Sequence, residues 1–342
     1  MNIAEVNISL VTSPTLQRLR CSPEISPLRP TPVFDAFWAF AAERQAIFLS
    51  RQSNPEPPWT TDPILSSFKF TNVYRASDRV SQFLIRNVIY SGDYDHRDVI
   101  FRILLFKLFN KIETWQLLER KLGPITVAGF SSKRFDRVLN SAIERGQRIY
   151  SAAYIMPPGS KAFKTRRKHV AHRRLLELML KDDVSGKIAE APSLQSVFRI
   201  LRSYPLIGDF LAYQYAIDIN YSEVVNFSES EFVAAGPGAR SGIRKCFANS
   251  DLISEEEVIR LVTDLQEQEF SQRGISFQWL GGRRLQLIDI QNIFCEIDKY
   301  ARVRFPEVTG IANRLKIKQR FTPNSTAIAP WYPPKWGINE KI

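Results

Sequence analysis

The sequence predicts a mainly α-helical protein with at most a small β-hairpin. Apolar residues recur at helical spacing along most of the chain, and strand and helix patterns do not alternate. The 342 residues are 44% hydrophobic and 12% aromatic, which is enough apolar material for a core. We therefore expect a folded chain rather than a disordered one.

Residues 1–31 lack periodicity, and we interpret them as a flexible N-terminal arm. The first helix is predicted over 34–52, because apolar residues share one face there and prolines follow it. Residues 99–112 are apolar on nearly every side, which favours a buried central helix. Amphipathic helices are also predicted at 133–150, 168–181, 194–220, 255–272 and 288–303. The hairpin is predicted within 277–287, where two glycines separate apolar residues.

We expect residues 32–342 to form one helical catalytic domain, which the pattern also allows to divide into lobes at about 32–190 and 191–320 with a C-terminal tail. No stretch reaches membrane-spanning length without charges, and the N-terminus lacks a signal-peptide pattern. The scattered cysteines predict neither a disulfide framework nor a metal knuckle; they are Cys21, Cys246 and Cys295. We infer a reducing, cytoplasmic location.

The chain is basic. Its 47 Lys and Arg residues against 35 Asp and Glu residues give a net charge of +12 and a pI near 9.7. Such a balance favours a polyanionic partner, of which nucleic acid is the first candidate. A basic protein without such a partner can have the same composition, so the charge alone leaves both interpretations open.

The segment LRSYPLIGDFLAYQYAIDINYS, residues 201–222, has the pattern helix, hairpin, helix. Pro205 and Gly208 predict a tight connection, and the backbone N–H groups of Ile207 and Gly208 would then point outwards at the start of the second helix. A helix N-terminus of this kind can bind a DNA phosphate. An ordinary turn between two helices is the alternative.

A second turn lies in AAGPGARSGIRKCF, residues 234–247. Gly236 and Gly238 would let backbone amides approach an anion closely, and Arg240 adds positive charge. The turn is not a nucleotide-binding P-loop, since no Lys-Ser/Thr pair follows at the required spacing. A DNA phosphate or a pyrophosphate fits this pattern, and so does a plain helix start.

Residues 161–180 concentrate positive charge beside an apolar helical face, which predicts contacts with DNA phosphates and salt-dependent binding. The cations are Lys161, Lys164, Arg166, Arg167, Lys168, Arg173 and Arg174. A solvated helix face is the alternative. His169 and His172 stand three residues apart without a matching cluster of further ligands, so we expect no metal site.

Residues 287–306 form an apolar helix that carries polar residues along one face. Asp289, Asn292, Glu296 and Lys299 recur at helical spacing, and Asp298 lies elsewhere on the same helix. A row of polar residues along so apolar a helix is more than contact with solvent alone would require. It is consistent with a functional site and also with a buried structural network.

Four blocks of the chain resemble a known family: residues 37–84, 204–222, 234–243 and 285–302. They look like the α-glutamyl/putrescinyl thymine pyrophosphorylase superfamily, whose helical domain is also found in 5-hydroxymethyluracil DNA kinases. The likeness runs in ordered blocks from residue 34 to about 320. It implies a fold similar to that of helix-hairpin-helix DNA glycosylases and an action on hypermodified bases in DNA.

From this resemblance we expect a DNA glycosylase that acts in anti-phage defence. It would hydrolyse the N-glycosidic bond of a flipped, hypermodified pyrimidine, such as glucosylated hydroxymethylcytosine in phage DNA, and leave an abasic site. Phe210 stands where bifunctional glycosylases carry a Schiff-base lysine, so strand cleavage is not expected. Leu206 replaces the usual hairpin glycine.

Two alternatives stay open. The first is a transferase that substitutes a pyrophosphorylated methyl group on thymine, and the second is a non-catalytic reader of modified DNA. In each case the expected partner is double-stranded DNA with modified bases, and we expect no cofactor, metal, membrane or obligate protein partner.

The resemblance also implies site residues. Asp218 is the first candidate for the carboxylate that stabilises positive charge on the sugar, and Glu231 is its rival, because the glycosylase aspartate follows the hairpin at a longer spacing. Further catalytic candidates are Glu296, Asp298 and Lys299. Candidates that would stack on the flipped base or bind its edges, its substituent or the sugar are Trp59, Tyr74, Tyr213, Asn72, Arg75, Asp78, Asp289 and Asn292.

Overall fold

The computed structural model describes residues 25–154, 156–311, 314–323 and 329–342. Most of the predicted N-terminal arm, including Cys21, lies outside these residues. The end of the arm that is described packs against the protein, since Ile25 and Leu28 are buried in the core. Pro30 also forms an isolated antiparallel bridge with Phe247.

The prediction of a mainly helical protein is confirmed. In the described residues the α-helices are α1 Pro32–Ser53, α2 Pro63–Ser67, α3 Arg79–Phe83, α4 His96–Phe109, α5 Ile112–Leu122, α6 Ser132–Glu144, α7 Ser160–Phe163, α8 Lys168–Lys181, α9 Val184–Ala189, α10 Leu194–Arg202, α11 Asp209–Asn220, α12 Pro237–Cys246, α13 Glu255–Asp264, α14 Gln266–Gln272 and α15 Leu287–Arg304. Short 3₁₀ turns occupy Arg75–Ser77, Pro334–Trp336 and Asn339–Lys341, and Leu84–Ile89 is π-helical.

Several predicted helices are divided by turns. The segment 194–220 is α10 and α11 on either side of a hairpin, and 255–272 is α13 and α14. The predicted β-hairpin within 277–287 is reduced to a tight turn closed by a single bridge between Leu280 and Arg283. The two glycines inside that turn have φ of 57° and 81°, values that glycine adopts readily, and no strand extends from it in the described chain.

Local signals explain the helix ends. Ser254 and Glu257 form the capping box that starts α13, as their spacing indicates. Pro32 and Pro237 occupy first-turn positions of α1 and α12, where a missing N–H costs nothing. The helix α4 is buried nearly all round, as its apolar sequence predicts, although two of its buried residues are cations, Arg102 and Lys107.

The closest helix pair is α12 with α15, and two glycines of α12 permit it. A Cβ on Gly238 would lie 2.2 Å from Cys295 Sγ, and one on Gly242 would lie 1.9 Å from the Phe294 carbonyl oxygen. This pair and α1 pack together, whereas α4 packs on α8, α9 and α11. Because α11 and α15 also face the turn at Arg75–Ser77, the two packed groups meet at that turn.

Within the part of the chain that the structure describes, no helix combines the length and the apolar character needed to cross a bilayer.

We expect Gly242→Ala to destabilise the protein, because its new Cβ would meet backbone rather than a movable side chain. The free energy of unfolding in urea should fall by about 2–3 kcal/mol as α12 and α15 move apart. Gly208→Ala is the control, since a Cβ there meets nothing within 4 Å; it should cost at most about 1 kcal/mol. Equal losses for the two variants would contradict this role of Gly242.

Candidate functional site

A buried ion cluster lies where three segments meet. Asp218, in the last turn of α11, is fully buried. Its Oδ1 accepts a hydrogen bond from the Arg75 guanidinium at 2.8 Å, and Lys107 Nζ lies 3.0 Å from its Oδ2 as an ion pair. Arg75 comes from the turn before α3, and Lys107 comes from α4. The carboxylate therefore joins these segments to α11.

Arg75 is fixed by further contacts. Its Nε donates to Gln214 Oε1 at 2.8 Å, and its Nη1 donates to the Tyr221 hydroxyl at 3.1 Å. Its backbone N–H donates to Asp289 Oδ1 at 2.8 Å, which ties the turn to the start of α15. The guanidinium is thus held in one orientation by side chains of α11 and of the residue that follows it.

The ion cluster carries more positive than negative charge. Burial disfavours the charge of Arg75, but Asp218 more than reverses this and holds the pKa of Arg75 well above its ordinary value. For Lys107, burial prevails and lowers the pKa. Burial would raise the pKa of Asp218, but both cations act against it and the pKa is lowered. Asp218 is the one described carboxylate in ion-pair contact with either cation.

Tyr154 covers the ion cluster from the side of the connection between α6 and α7. Its ring centroid lies 4.5 Å from Lys107 Nζ and 6.0 Å from Arg75 Cζ. The ring also stacks on Phe210, with centroids 5.7 Å apart and planes 6° apart. Tyr154 is only partly buried, so it separates the cluster from the surface.

A second polar cluster adjoins the first along α15. Asn72 N–H donates to Asp78 Oδ1 at 2.8 Å, and Asn292 Nδ2 lies 3.4 Å from the Asn72 carbonyl oxygen. Glu296 pairs with Lys299 at 2.5 Å. These five candidates from the sequence are therefore neighbours, although they come from two distant segments.

Two carboxyl groups of the site have a raised pKa. Burial raises the pKa of Asp78 to about 7, with a contribution from nearby Glu296, while the hydrogen bond from Asn72 opposes it. Burial likewise raises the pKa of Asp289 to about 7, and the charge of Glu229 adds to it. Asp78 is the more accessible of the two, being partly exposed.

Two buried tyrosines, Tyr74 and Tyr213, lie on the interior side of the site. The Tyr74 hydroxyl donates to the Arg283 carbonyl oxygen at 2.5 Å, and Arg283 pairs with buried Glu229 at 2.8 Å. Tyr213 is fully buried, and its hydroxyl has no hydrogen-bond partner among the described residues. Neither tyrosine offers an exposed ring face for stacking, because both are buried.

Three other candidates lie outside this site. Asp298 joins α12 to α15: it accepts from Ser241 Oγ at 2.8 Å and pairs with Lys245 at 3.2 Å. Glu231 is exposed on a loop, where its backbone N–H donates to the Ser228 carbonyl oxygen and its carbonyl oxygen accepts from Arg260. Trp59 donates from its indole to the Asn54 carbonyl oxygen at 2.7 Å, and the Arg51 guanidinium lies over its ring at 4.9 Å, so its contacts are with the end of α1 and the turn after it.

The predicted phosphate-binding turns differ from expectation. Ile207 is buried, and its N–H donates to the Tyr204 carbonyl oxygen, so it does not point outwards; Gly208 is exposed. Gly236 is buried, and a Cβ there would lie 2.8 Å from the Phe210 ring. With Gly238 packed on α15, these glycines serve close packing in the structure. Arg240 is exposed.

The basic stretch forms an accessible surface. Lys164, Arg166 and Arg167 are exposed, whereas Lys168 is partly buried with its Nζ 4.4 Å from the Tyr150 ring. The helix α6 lies beside α8 and adds exposed cations from its first turns: Lys133, Arg134 and Arg137.

Neither histidine of the basic stretch has the surroundings of a metal ligand. His172 Nδ1 contacts the Tyr150 hydroxyl at 2.8 Å and its Nε2 contacts the Pro157 carbonyl oxygen at 2.8 Å. In the described portion of the chain, no group of three His, Cys, Asp or Glu side chains is arranged to hold a metal ion.

The sequence did not single out four residues of the ion cluster. Lys107 is one of its two cations. Gln214, Tyr221 and Tyr154 contact the cations. Lys107 carried a usable signal, because it is a cation inside an otherwise apolar helix. The others carried none, since nothing in their spacing relates them to Arg75.

The fold and the site together define a helical protein with a charged centre, enclosed by α4, α11, α15 and the turn at Arg75–Ser77. A family model described as the helical domain of 5-hmdU DNA kinases, where 5-hmdU is 5-hydroxymethyldeoxyuridine, matches residues 31–310. The chain belongs to this family. The resemblance to the superfamily that includes these kinases is confirmed.

One relative among curated proteins is the 5-hmdU DNA kinase of Bacillus phage SP10. It is 24% identical to this chain over 307 residues, which are 83% of this chain and 46% of the relative. The chain thus spans about half the length of that relative. No solved structure matches the chain.

The predicted DNA N-glycosylase activity is wrong. The family model is described as a helical domain of a DNA kinase and the phage relative as a DNA kinase, and a kinase transfers a phosphoryl group rather than hydrolysing a glycosidic bond. The predictions that depend on it are wrong as well: a monofunctional hydrolase, and the excision of glucosylated pyrimidines in defence against phages. Group transfer at a modified thymine, the first alternative from the sequence, agrees better with these comparisons.

We expect Asp78→Asn to flatten the pH dependence of stability between pH 4 and 7. A carboxyl group whose pKa is raised on folding contributes stability that is present at low pH and lost as pH rises through the folded pKa of about 7. The fall in unfolding free energy from pH 5 to pH 8, measured in urea, should shrink by roughly 2 kcal/mol. Exposed Asp93→Asn is the control; the same profile in both variants would contradict the raised pKa.

Proposed function

We propose that the chain is a group transferase that acts at the 5-hydroxymethyl substituent of a thymine-type base in DNA. The observation that supports this most directly is the match to the helical domain of 5-hmdU DNA kinases over residues 31–310. That range contains the ion cluster, Tyr154 above it and the adjoining polar cluster. DNA with modified bases is therefore the proposed partner.

A base inside a duplex is not accessible to these residues, so the nucleotide must be flipped out of the helix. The polar cluster beside α15 offers hydrogen-bonding groups that suit the edge of a pyrimidine. Asn72 and Asn292 each supply an amide that is already oriented by neighbours. Arg44 donates to Asn72 Oδ1 at 2.7 Å and Asn72 Nδ2 donates to the Ser77 carbonyl oxygen at 2.8 Å, while Asn292 Nδ2 donates to Thr71 Oγ1 at 3.0 Å. We assign base recognition to this cluster.

Asp78 is the proposed general base. A hydroxymethyl group becomes a better nucleophile when a carboxylate accepts its proton, and such a base is most effective with a pKa close to the working pH. Asp78 is partly exposed beside Asn72 and has a pKa of about 7. Asp218 does not suit this role, because both of its oxygens face buried cations.

The exposed cations of α6 and of the stretch before α8 are proposed to bind the DNA backbone. They contact phosphates without reading sequence, and they position the duplex for flipping. A cytoplasmic location remains a prediction from the sequence.

The activity is tested with duplexes that differ in one base. The purified full chain is incubated with magnesium ATP and a duplex that contains 5-hmdU, or with glutamate or putrescine and a duplex that contains its pyrophosphorylated form. Nucleosides are then analysed by mass spectrometry. We expect a new nucleoside mass from one of these duplexes and none from the matched thymidine duplex.

Asp78→Asn should lower the rate of that conversion roughly 100-fold, as expected for the loss of a general base. Asp93→Asn should leave it unchanged. Release of free 5-hydroxymethyluracil would restore the glycosylase interpretation. Tight binding of both modified duplexes without any new nucleoside would instead identify a non-catalytic reader, and either result would overturn the proposed transferase.

A further inference from the structure

The ion cluster contains a cation that has no counterion of its own. Arg75 and Lys107 are 2% and 3% exposed, and Asp218 is their one shared carboxylate among the described residues. The other nearby carboxyl groups are engaged: Glu229 pairs with Arg283, and Asp289 accepts two backbone N–H groups. A buried positive charge without a partner is costly, so a protein that keeps one has a use for it.

Lys107 is held by fewer contacts than Arg75. Its Nζ lies 3.0 Å from Asp218 Oδ2 as an ion pair and donates to Asn110 Oδ1 at 2.9 Å. Its other close neighbour is the Tyr154 ring, whose centroid is 4.5 Å away. One side of the ammonium group is therefore covered by an aromatic ring rather than by an oxygen acceptor.

The cover has features of a movable part. Tyr154 has φ of 53°, a conformation that costs a non-glycine residue roughly 1–3 kcal/mol and persists only where its surroundings support it. Residues 151–154 and 156–159 on either side of it are not helical, and Leu206 holds one end, since its Cδ1 would lie 2.7 Å from a Cβ on Gly159. The Tyr154 ring is a weaker electrostatic partner for the two cations than an anionic group would be.

We propose that Arg75 and Lys107 bind a phosphorylated substituent of the flipped base, and that Tyr154 is the displaceable cover of this site. The inference rests on the proposed function and names its ligand as a planar base with an anionic group. When Tyr154 turns away, the face of Phe210 that it covers becomes available for stacking. A base in that place has its substituent beside Lys107.

Inorganic pyrophosphate is the probe, because it carries the anionic group without DNA. Its binding to the full chain is measured by isothermal titration calorimetry at constant ionic strength. Tyr154→Ala removes the cover and should tighten binding at least tenfold, whereas Tyr154→Phe keeps the ring and should match the wild type. Lys107→Met keeps the Arg75–Asp218 pair and should weaken binding at least tenfold. Lys121→Met, at an exposed site, is the control for loss of one charge.

Unchanged affinity in Lys107→Met, or equal affinity in Tyr154→Ala and the wild type, would overturn the proposal. The two Tyr154 variants keep the test valid even if Lys107→Met does not fold. Binding that depends on Lys107, together with no conversion of either modified duplex, would leave the anion site in place and refute the transferase. Conversion of a modified duplex, together with pyrophosphate binding that Lys107→Met does not change, would support the transferase and refute the anion site.

Discussion

The ion pair between Asp218 and its two cations is the interaction on which the site depends. It is formed inside the core, where an uncompensated charge costs several kcal/mol. Through Arg75 it orders the turn beside Asn72 and Asp78, and it brings the Lys107 ammonium of α4 to the same carboxylate. The partly exposed polar cluster thus has its geometry because a fully buried carboxylate holds the chain behind it.

The composition of the ion cluster favours function over stability. An apolar residue in place of Lys107 would leave a neutral pair of Arg75 and Asp218 and would remove a desolvated charge. Retention of the lysine is understandable if an anion takes the place of Tyr154 during the reaction. The same logic applies to Asp78, because burial raises the pKa of its carboxyl group to about 7 and the group is therefore able to exchange a proton near pH 7.

Local structure was readable from the sequence, and long-range contacts were not. The period of apolar residues gave α8 with its observed bounds and Ser254 with Glu257 gave the start of α13. No spacing rule pairs Arg75 with Asp218, since their contact arises only when distant helices pack. The glycines at 236 and 238 show a related limit: the same residues suit a phosphate turn and a close helix contact, and only packing distinguishes them.

The assignment of Asp218 as a shared counterion is tested most directly by comparing unfolding free energies of Asp218→Asn and Lys107→Met in urea without anions. Asp218→Asn leaves two buried cations unpaired and should lose about 3–5 kcal/mol, whereas Lys107→Met removes the surplus charge and should be as stable as the wild type or more so. Opposite responses of this kind are the predicted result. Similar losses in both variants would contradict it, because they would show Lys107 to be a structural partner of Asp218 rather than a cation held for a ligand.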